Sequence, residues 1–150
     1  MALCRILVVD DEESIREFFE IMLKREGYDV VTAANGREGF EAFKKQPADL
    51  IISDIQMPEM SGMELLTKVK EADPEAIVLM ITAFGSTETA VEAMKLGAYD
   101  YVQKPFKIEE VKIIVRQALE KRSLKLENAQ LKKELGTKYD AALFFGFSQV

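Results

Sequence analysis

Carboxylate, hydroxyl and ammonium side chains occur at four places in this chain where an apolar, strand-like segment ends. Each of these segments has the length and composition of a buried strand. The polar residues that close or follow them are Asp10 and Asp11, Asp54, Thr82, and Lys104. Because an open parallel sheet binds its ligands beyond the carboxyl ends of the strands, we expect these five side chains to meet in one pocket.

The residue types in this pocket suit phosphoryl transfer to a carboxylate. Like charges raise one another's pKa unless a cation lies among them, and oxygen ligands suit a hard ion such as Mg²⁺ or Mn²⁺. Asp54 stands alone after the predicted central strand, so we expect it to attack phosphorus as the nucleophile. Asp10 and Asp11 would hold the metal. Lys104 would neutralise the phosphoryl charge, and the Thr82 hydroxyl can donate to a phosphoryl oxygen.

Each of these residues, taken singly, also has an ordinary structural explanation. Adjacent aspartates after a strand often cap a helix, and a β-branched threonine suits a strand. A Lys-Pro pair suits a turn. The joint placement at four strand ends is therefore what indicates a site.

Composition limits the classes of function that are open to the chain. Its 150 residues can form one full core, and a net charge of -6 argues against non-specific binding of nucleic acid. The absence of histidine removes zinc-type sites, Ser-His triads and histidine phosphoryl carriers. No apolar segment has membrane-spanning length and no signal-peptide pattern is present, so we expect a cytoplasmic protein. The single cysteine, Cys4, begins an apolar strand, and we expect it to be buried.

Strand-like and helix-like patterns alternate five times along the chain. The strands are nearly continuous apolar runs, which is typical of a sheet covered by helices on both faces. We therefore predict an α/β, flavodoxin-like (βα)5 doubly wound parallel sheet with strand order 2-1-3-4-5. The fourth helix has the thinnest apolar face, for which the pattern predicts Ala90, Val91 and Met94 as the inward residues.

The helical pattern continues beyond the fifth repeat, which predicts an extended C-terminal linker helix. Its leucines at heptad spacing are Leu124 and Leu131, with Asn128 and Leu135 at the companion core positions of a coiled coil. This pattern favours a homodimer, although a solvated single helix or one folded back on the domain would also fit. Gly136 is expected to end the helix.

These patterns divide the chain into three expected regions. Residues 1–120 would form the α/β domain and residues 121–136 the linker helix. Residues 137–150 are apolar, and we expect them to begin a following domain.

Four motifs resemble the receiver domains of two-component response regulators, over about residues 5–120. They are Val8-Val9-Asp10-Asp11-Glu12, Asp54-Ile55-Gln56-Met57-Pro58, Met80-Ile81-Thr82-Ala83 and Tyr101-Val102-Gln103-Lys104-Pro105-Phe106. The resemblance implies a phosphorylation-controlled regulatory module rather than an enzyme. It also implies that Asp54 takes its phosphoryl group from the histidine of a partner kinase.

The resemblance assigns further roles within the pocket. Asp11, Asp54 and the Gln56 carbonyl would bind magnesium directly, and Asp10 would act through water. Thr82 and Tyr101 would form a switch pair, in which the ring turns inward as the hydroxyl moves to the phosphate. The family usually has a cis Lys-Pro bond at the position of Lys104.

Weaker motifs resemble the nitrogen-regulation (NtrC) type, whose members carry a receiver, a linker helix, a sigma-54-activating ATPase and a DNA-binding domain. The following domain would then be an ATPase, although this chain contains no Walker A loop. Two alternatives remain open from the residues. One is a stand-alone signalling receiver, and the other is a magnesium-dependent phosphatase with an aspartyl-phosphate intermediate.

Overall fold

Five strands and five helices alternate along the chain in the computed structural model. The structure describes residues 4–83 and 86–138, and it describes side chains as far as residue 124. Their bounds are β1 Arg5–Val9, α1 Glu13–Arg25, β2 Asp29–Ala33, α2 Gly36–Lys45, β3 Leu50–Ser53, α3 Gly62–Ala72, β4 Val78–Thr82, α4 Thr87–Lys95, β5 Asp100–Gln103 and α5 Ile108–Lys138.

The five strands form one parallel sheet in the order β2-β1-β3-β4-β5, so the predicted fold class and strand order are confirmed. Strands β3 and β4 are buried along their whole length, and β1 is buried after its first residue. This burial explains why the central strands lack the alternation of polar and apolar residues that a one-sided sheet would have.

Two apolar clusters lie on the two faces of this sheet, because successive strand residues point to opposite sides. Ile6 and Val8 of β1 pack with α1 and the first turns of α5. Leu7 and Val9 pack with α2, α3 and α4. The carboxyl ends of all five strands are therefore held at one edge of a rigid, closely packed layer.

Helix α4 places a different face inward from the one that the sequence pattern predicts. Ala93 is its one fully buried residue, whereas Val91 and Met94 are each 47% exposed. Ala90 is half-buried. The prediction was wrong because a nine-residue helix has few apolar positions, and the larger ones were taken to be the core.

Two further expectations are corrected by the structure. Cys4 is exposed, because it precedes the first paired residue of β1 rather than lying within the strand. Gly136 lies within α5, which continues to Lys138. A glycine in a helix costs about 1 kcal/mol relative to alanine, which lowers helix stability without ending the helix.

The chain divides into two units, Met1–Leu119 and Glu120–Val150. The first unit contains the sheet. The second contains the later turns of α5, and the expected domain start at residues 139–150 lies outside the described residues. No helix within residues 4–83 and 86–138 has the length and apolar character needed to cross a bilayer.

Candidate functional site

Backbone hydrogen bonds extend the sheet by one residue beyond three of its strand ends. They run from the Asp10 amide to the Ala33 carbonyl (3.2 Å), from the Asp54 amide to the Val9 carbonyl (3.1 Å), and from the Lys104 amide to the Thr82 carbonyl (2.8 Å). Three polar residues of the predicted pocket are thus fixed by the sheet itself, at the edge where a parallel sheet binds ligands.

The structure brings the predicted carboxylates together. Asp10, Asp11 and Asp54 each offer one carboxylate oxygen within 4.8 Å of the others. Asp10 and Asp54 are only 4% and 5% exposed, whereas Asp11 is exposed. The Lys104 ammonium lies 3.4 Å from Asp10 Oδ2 and 3.5 Å from Asp54 Oδ2, so a single cation is shared between the two buried carboxylates.

This donor set fits a divalent cation. Three carboxylates face one ammonium, which leaves negative charge in a partly buried place where unpaired charge is costly. Oxygen atoms from carboxylates are the ligands that hard ions such as Mg²⁺ and Mn²⁺ prefer. The exposed Asp11 leaves the cluster open to solvent on one side, so an ion and a small anionic group can both reach it.

Asp54 is oriented by the backbone that follows it. Its Oδ1 accepts hydrogen bonds from the Ile55 amide at 2.6 Å and from the Gln56 amide at 3.3 Å. The Gln56 side chain is exposed. The Asp54 carboxylate is therefore held on one oxygen by amides and approached on the other by Lys104.

The loop from Asp54 to α3 is packed closely against its surroundings. The Gly62 amide donates to the Ile55 carbonyl at 2.7 Å, and a Cβ on Gly62 would overlap the Asp54 carbonyl. Within the same loop, Glu59 has a positive φ of 68° and pairs with Arg37 of α2 at 3.0 Å. The loop after Asp54 is therefore held at two places, by the contact of Gly62 with Asp54 and Ile55 and by the pairing of Glu59 with Arg37.

Burial raises the pKa of the Asp10 carboxyl above its ordinary value of 3.8, and the Asp54 charge adds to the increase. The Glu12 amide, which donates to Asp10 Oδ1 at 2.9 Å, and Lys104 act in the opposite direction. Because the folded-state pKa exceeds the unfolded one, ionised Asp10 destabilises the fold at neutral pH, and this penalty disappears as the pH falls through the raised pKa towards 3.8.

Asp10→Asn is therefore expected to stabilise the metal-free protein at pH 7 by about 1 kcal/mol, the usual size of a gain at a strained functional site. Urea denaturation in EDTA measures this change, and the gain should shrink as the pH is lowered. Asp73→Asn, at the end of α3, is the matched control and should have little effect. A less stable Asp10→Asn variant in EDTA would contradict the prediction.

The two residues of the predicted switch pair occupy different environments. Thr82 closes β4 and is fully buried. Tyr101 is half-buried, and its hydroxyl lies 3.1 Å from Thr89 Oγ1 of α4. Thr89 Oγ1 also accepts from the Ser86 amide and donates to the Ser86 carbonyl, in the capping box of α4. The Tyr101 hydroxyl is thus joined to the capping box of α4.

The Lys104–Pro105 peptide is cis, as the resemblance implied. Phe106, the next residue, stacks on Phe19 of α1 with ring centroids 5.7 Å apart. The segment that carries Lys104 is thus packed against α1 as well as paired with β4.

The predicted linker residues are placed only in part. Leu124 lies in α5 with 59% of its surface exposed. Asn128, Leu131 and Leu135 also lie in α5, but their side chains are outside the described residues.

Sequence reasoning did not identify Arg16, whose guanidinium donates to the Asp10 carbonyl at 2.8 Å. Arg16 lies at the end of the first turn of α1, between acidic residues that resemble an ordinary solvated helix face. It contacts a backbone atom, so no pairing of side-chain types in the sequence points to it.

Comparison with known proteins places the chain beside bacterial regulators. The family described as response regulator receiver domain matches residues 6–130. The regulatory protein AtoC of Escherichia coli (strain K12) is 38% identical over 138 residues, which are 92% of this chain and 30% of AtoC. This chain therefore spans about three tenths of the length of the curated relatives it matches.

Two solved structures extend the comparison. NtrX from Brucella abortus in complex with ADP has a TM-score of 0.82 and 38% identity, covering 91% of this chain and 30% of that one. The beryllofluoride-activated NtrC4 receiver domain dimer has a TM-score of 0.75 and 39% identity, covering 79% of this chain and 98% of that one.

Proposed function

The chain belongs to the response regulator receiver domain family, and we propose that it accepts a phosphoryl group on Asp54 from the histidine of a sensor kinase. The observation that carries this proposal is the cluster of Asp10, Asp11 and Asp54, in which the Lys104 ammonium contacts Asp10 and Asp54. Phosphorylation at this cluster would then regulate the conformation and association of the protein.

The chemistry follows from the contacts of Asp54. The Ile55 and Gln56 amides orient the carboxylate, so that its oxygen can attack phosphorus while the bond from phosphorus to the kinase imidazole breaks. Lys104, already shared between two carboxylates, can neutralise the incoming phosphoryl charge. A bound Mg²⁺ or Mn²⁺, held by Asp10, Asp11, Asp54 and the Gln56 carbonyl, would supply further positive charge to the phosphoryl oxygens.

Acetyl phosphate tests this function because it is a small phosphoryl donor that requires no kinase. The purified chain should gain one phosphoryl group in Mg²⁺ and none in excess EDTA, as measured by intact-protein mass spectrometry. Labelling that is undiminished by EDTA would contradict the proposal. Continued release of many phosphates per chain at a fast rate would favour the phosphatase alternative.

The proposed response to phosphorylation involves Thr82 and Tyr101. The Thr82 hydroxyl would donate to the phosphoryl group, and Tyr101 would leave its partner Thr89 in the α4 cap. Helix α4 is weakly anchored, since Ala93 is its one fully buried residue, so this helix would move at the lowest cost.

The finer identity that we propose is a cytoplasmic, NtrC-type receiver that controls a sigma-54-dependent ATPase within a longer protein. Its support is the similarity to AtoC and to the ADP complex of Brucella NtrX, both of which extend far beyond the matched segment. In this proposal the receiver itself acts as a phosphoacceptor, with no nucleic acid or membrane as its partner.

We also propose that the phosphorylated chain forms a homodimer. The similar NtrC4 receiver domain is described as a dimer. In this chain, Leu124 of α5 is exposed, as are Val91 and Met94 of α4 and Ile113 of α5. Each leucine buried in a dimer contributes roughly 1.5–3 kcal/mol, while association costs several kcal/mol, so the linker needs additional contacts from the receiver face.

Leu124→Asp combined with Leu131→Asp is expected to weaken dimerisation at least tenfold, because charge would replace the apolar seam. Sedimentation equilibrium with beryllofluoride measures the dissociation constant. Ser123→Asp with Gln130→Asp, which adds the same charge one position before each leucine, is the control. An unchanged dissociation constant in the leucine variant would contradict the prediction and indicate a solvated linker helix. Labelling of Asp54 by acetyl phosphate in the same variant would confirm that it is folded.

A further inference from the structure

We propose that Arg16 is a positioning residue for the metal site, holding the turn that carries Asp10 and Asp11 in its ion-binding geometry. This inference rests on the proposed magnesium site. It concerns the side chain that fixes the ligands rather than a ligand itself. Within the described residues, the 2.8 Å bond to the Asp10 carbonyl is the one hydrogen bond that the Arg16 side chain makes.

Asp10 is held at each of its polar groups. Its amide donates to the Ala33 carbonyl, and its two carboxylate oxygens contact the Glu12 amide and Lys104. The remaining group, the Asp10 carbonyl, accepts from Arg16. This carbonyl belongs to the peptide that links Asp10 to Asp11, so its direction helps to set where the backbone of Asp11 lies.

At the start of α1, the Glu12 amide restrains the Asp10 side chain through Oδ1 at 2.9 Å, but it does not contact the Asp10 carbonyl. Glu12 is the N-cap residue, and its side chain makes no capping hydrogen bond. Arg16 instead donates its own amide to the Glu12 carbonyl at 3.1 Å and extends its side chain to the Asp10 carbonyl. Arg16 is therefore the residue of α1 that holds the Asp10 carbonyl, whereas the Glu12 amide holds only the Asp10 side chain.

Positioning and simple charge predict opposite effects when Arg16 is removed. The guanidinium is a cation near three carboxylates, so its charge alone opposes the binding of Mg²⁺. If only charge mattered, an uncharged residue would tighten Mg²⁺ binding. If the hydrogen bond to Asp10 sets the ligand geometry, the loss of Arg16 weakens binding, because groups that orient metal ligands typically account for about tenfold or more in affinity.

Isothermal calorimetry with Mg²⁺ separates these two effects. Arg16→Met keeps the apolar stem and removes both donor and charge, and its dissociation constant should rise about tenfold. Arg16→Lys retains a donor and should recover most of the affinity. Arg25→Met, the same change at the far end of α1, is the matched control and should bind Mg²⁺ like the wild type. If Arg16→Met does not fold, Arg16→Leu gives the same comparison, because leucine also removes both the donor and the charge.

The phosphorylation reaction provides a second measurement. The Mg²⁺ concentration for half-maximal labelling by acetyl phosphate should rise in Arg16→Met, while the rate at saturating Mg²⁺ stays within about twofold of the wild type. An unchanged or lower Mg²⁺ dissociation constant in Arg16→Met would overturn the inference. Absence of labelling in the wild type would instead contradict the proposed function, and the calorimetric comparison would still decide the role of Arg16.

Discussion

Asp54→Asn is expected to reduce phosphorylation by acetyl phosphate to an undetectable level in the presence of Mg²⁺. The amide oxygen of asparagine can still accept from the Ile55 and Gln56 amides, so the local backbone should remain folded. The substitution removes the anionic nucleophile, however, and a neutral amide cannot replace it. Intact-protein mass spectrometry measures the loss directly.

Asp100→Asn is the matched control for this experiment. Asp100 is half-buried on β5, where its Oδ1 accepts from the Tyr101 amide, and it is not one of the clustered carboxylates. This variant should be labelled like the wild type, on the peptide that contains Asp54. Substantial labelling of Asp54→Asn on another aspartate would show that the clustered carboxylates do not act through a single acceptor.

Gly62→Ala is expected to be the most destabilising small change near the site, at about 3 kcal/mol. A Cβ at this position would meet the Asp54 carbonyl and the Ile55 Cα, which are backbone atoms and cannot turn away as a side chain could. Relief requires the loop after Asp54 to shift, so the labelling rate should fall together with the free energy of unfolding. Urea denaturation and acetyl phosphate labelling measure the two effects.

Gly27→Ala separates this overlap from backbone strain. Gly27 has a positive φ of 93°, but no atom lies within 4 Å of the position of a Cβ. Its replacement should therefore cost only about 1 kcal/mol of strain and leave the labelling rate unchanged. Equal destabilisation by the two substitutions would contradict the argument from close contact at Gly62.

Sequence patterns were sufficient for the architecture because the strand signals were strong and repeated. The nearly continuous apolar segments at Leu50–Ser53 and Val78–Thr82 indicated a sheet covered on both faces, and such a sheet brings the strand ends to one edge. The proximity of Asp10, Asp54 and Lys104 follows from that topology, without any information about side-chain conformation.

The details that the sequence did not provide depend on choices between nearly equal packings. In α4, Val91 and Met94 are as suitable for a core as Ala93, and only the space available against the sheet selects the alanine. The contacts of Arg16 with a carbonyl and of Tyr101 with Thr89 involve rotamers of long side chains, which residue types and spacing do not determine.

The two charged contacts at the strand ends join distant parts of the chain. Lys104 reaches Asp54 across 50 positions of sequence and Asp10 across 94. No fragment that lacks one of these strands can assemble the cluster, and a misfolded chain would lose it as a whole. Phosphorylation of Asp54 therefore requires the correct assembly of β1, β3 and β5, so molecules in which these strands are misassembled would not be phosphorylated.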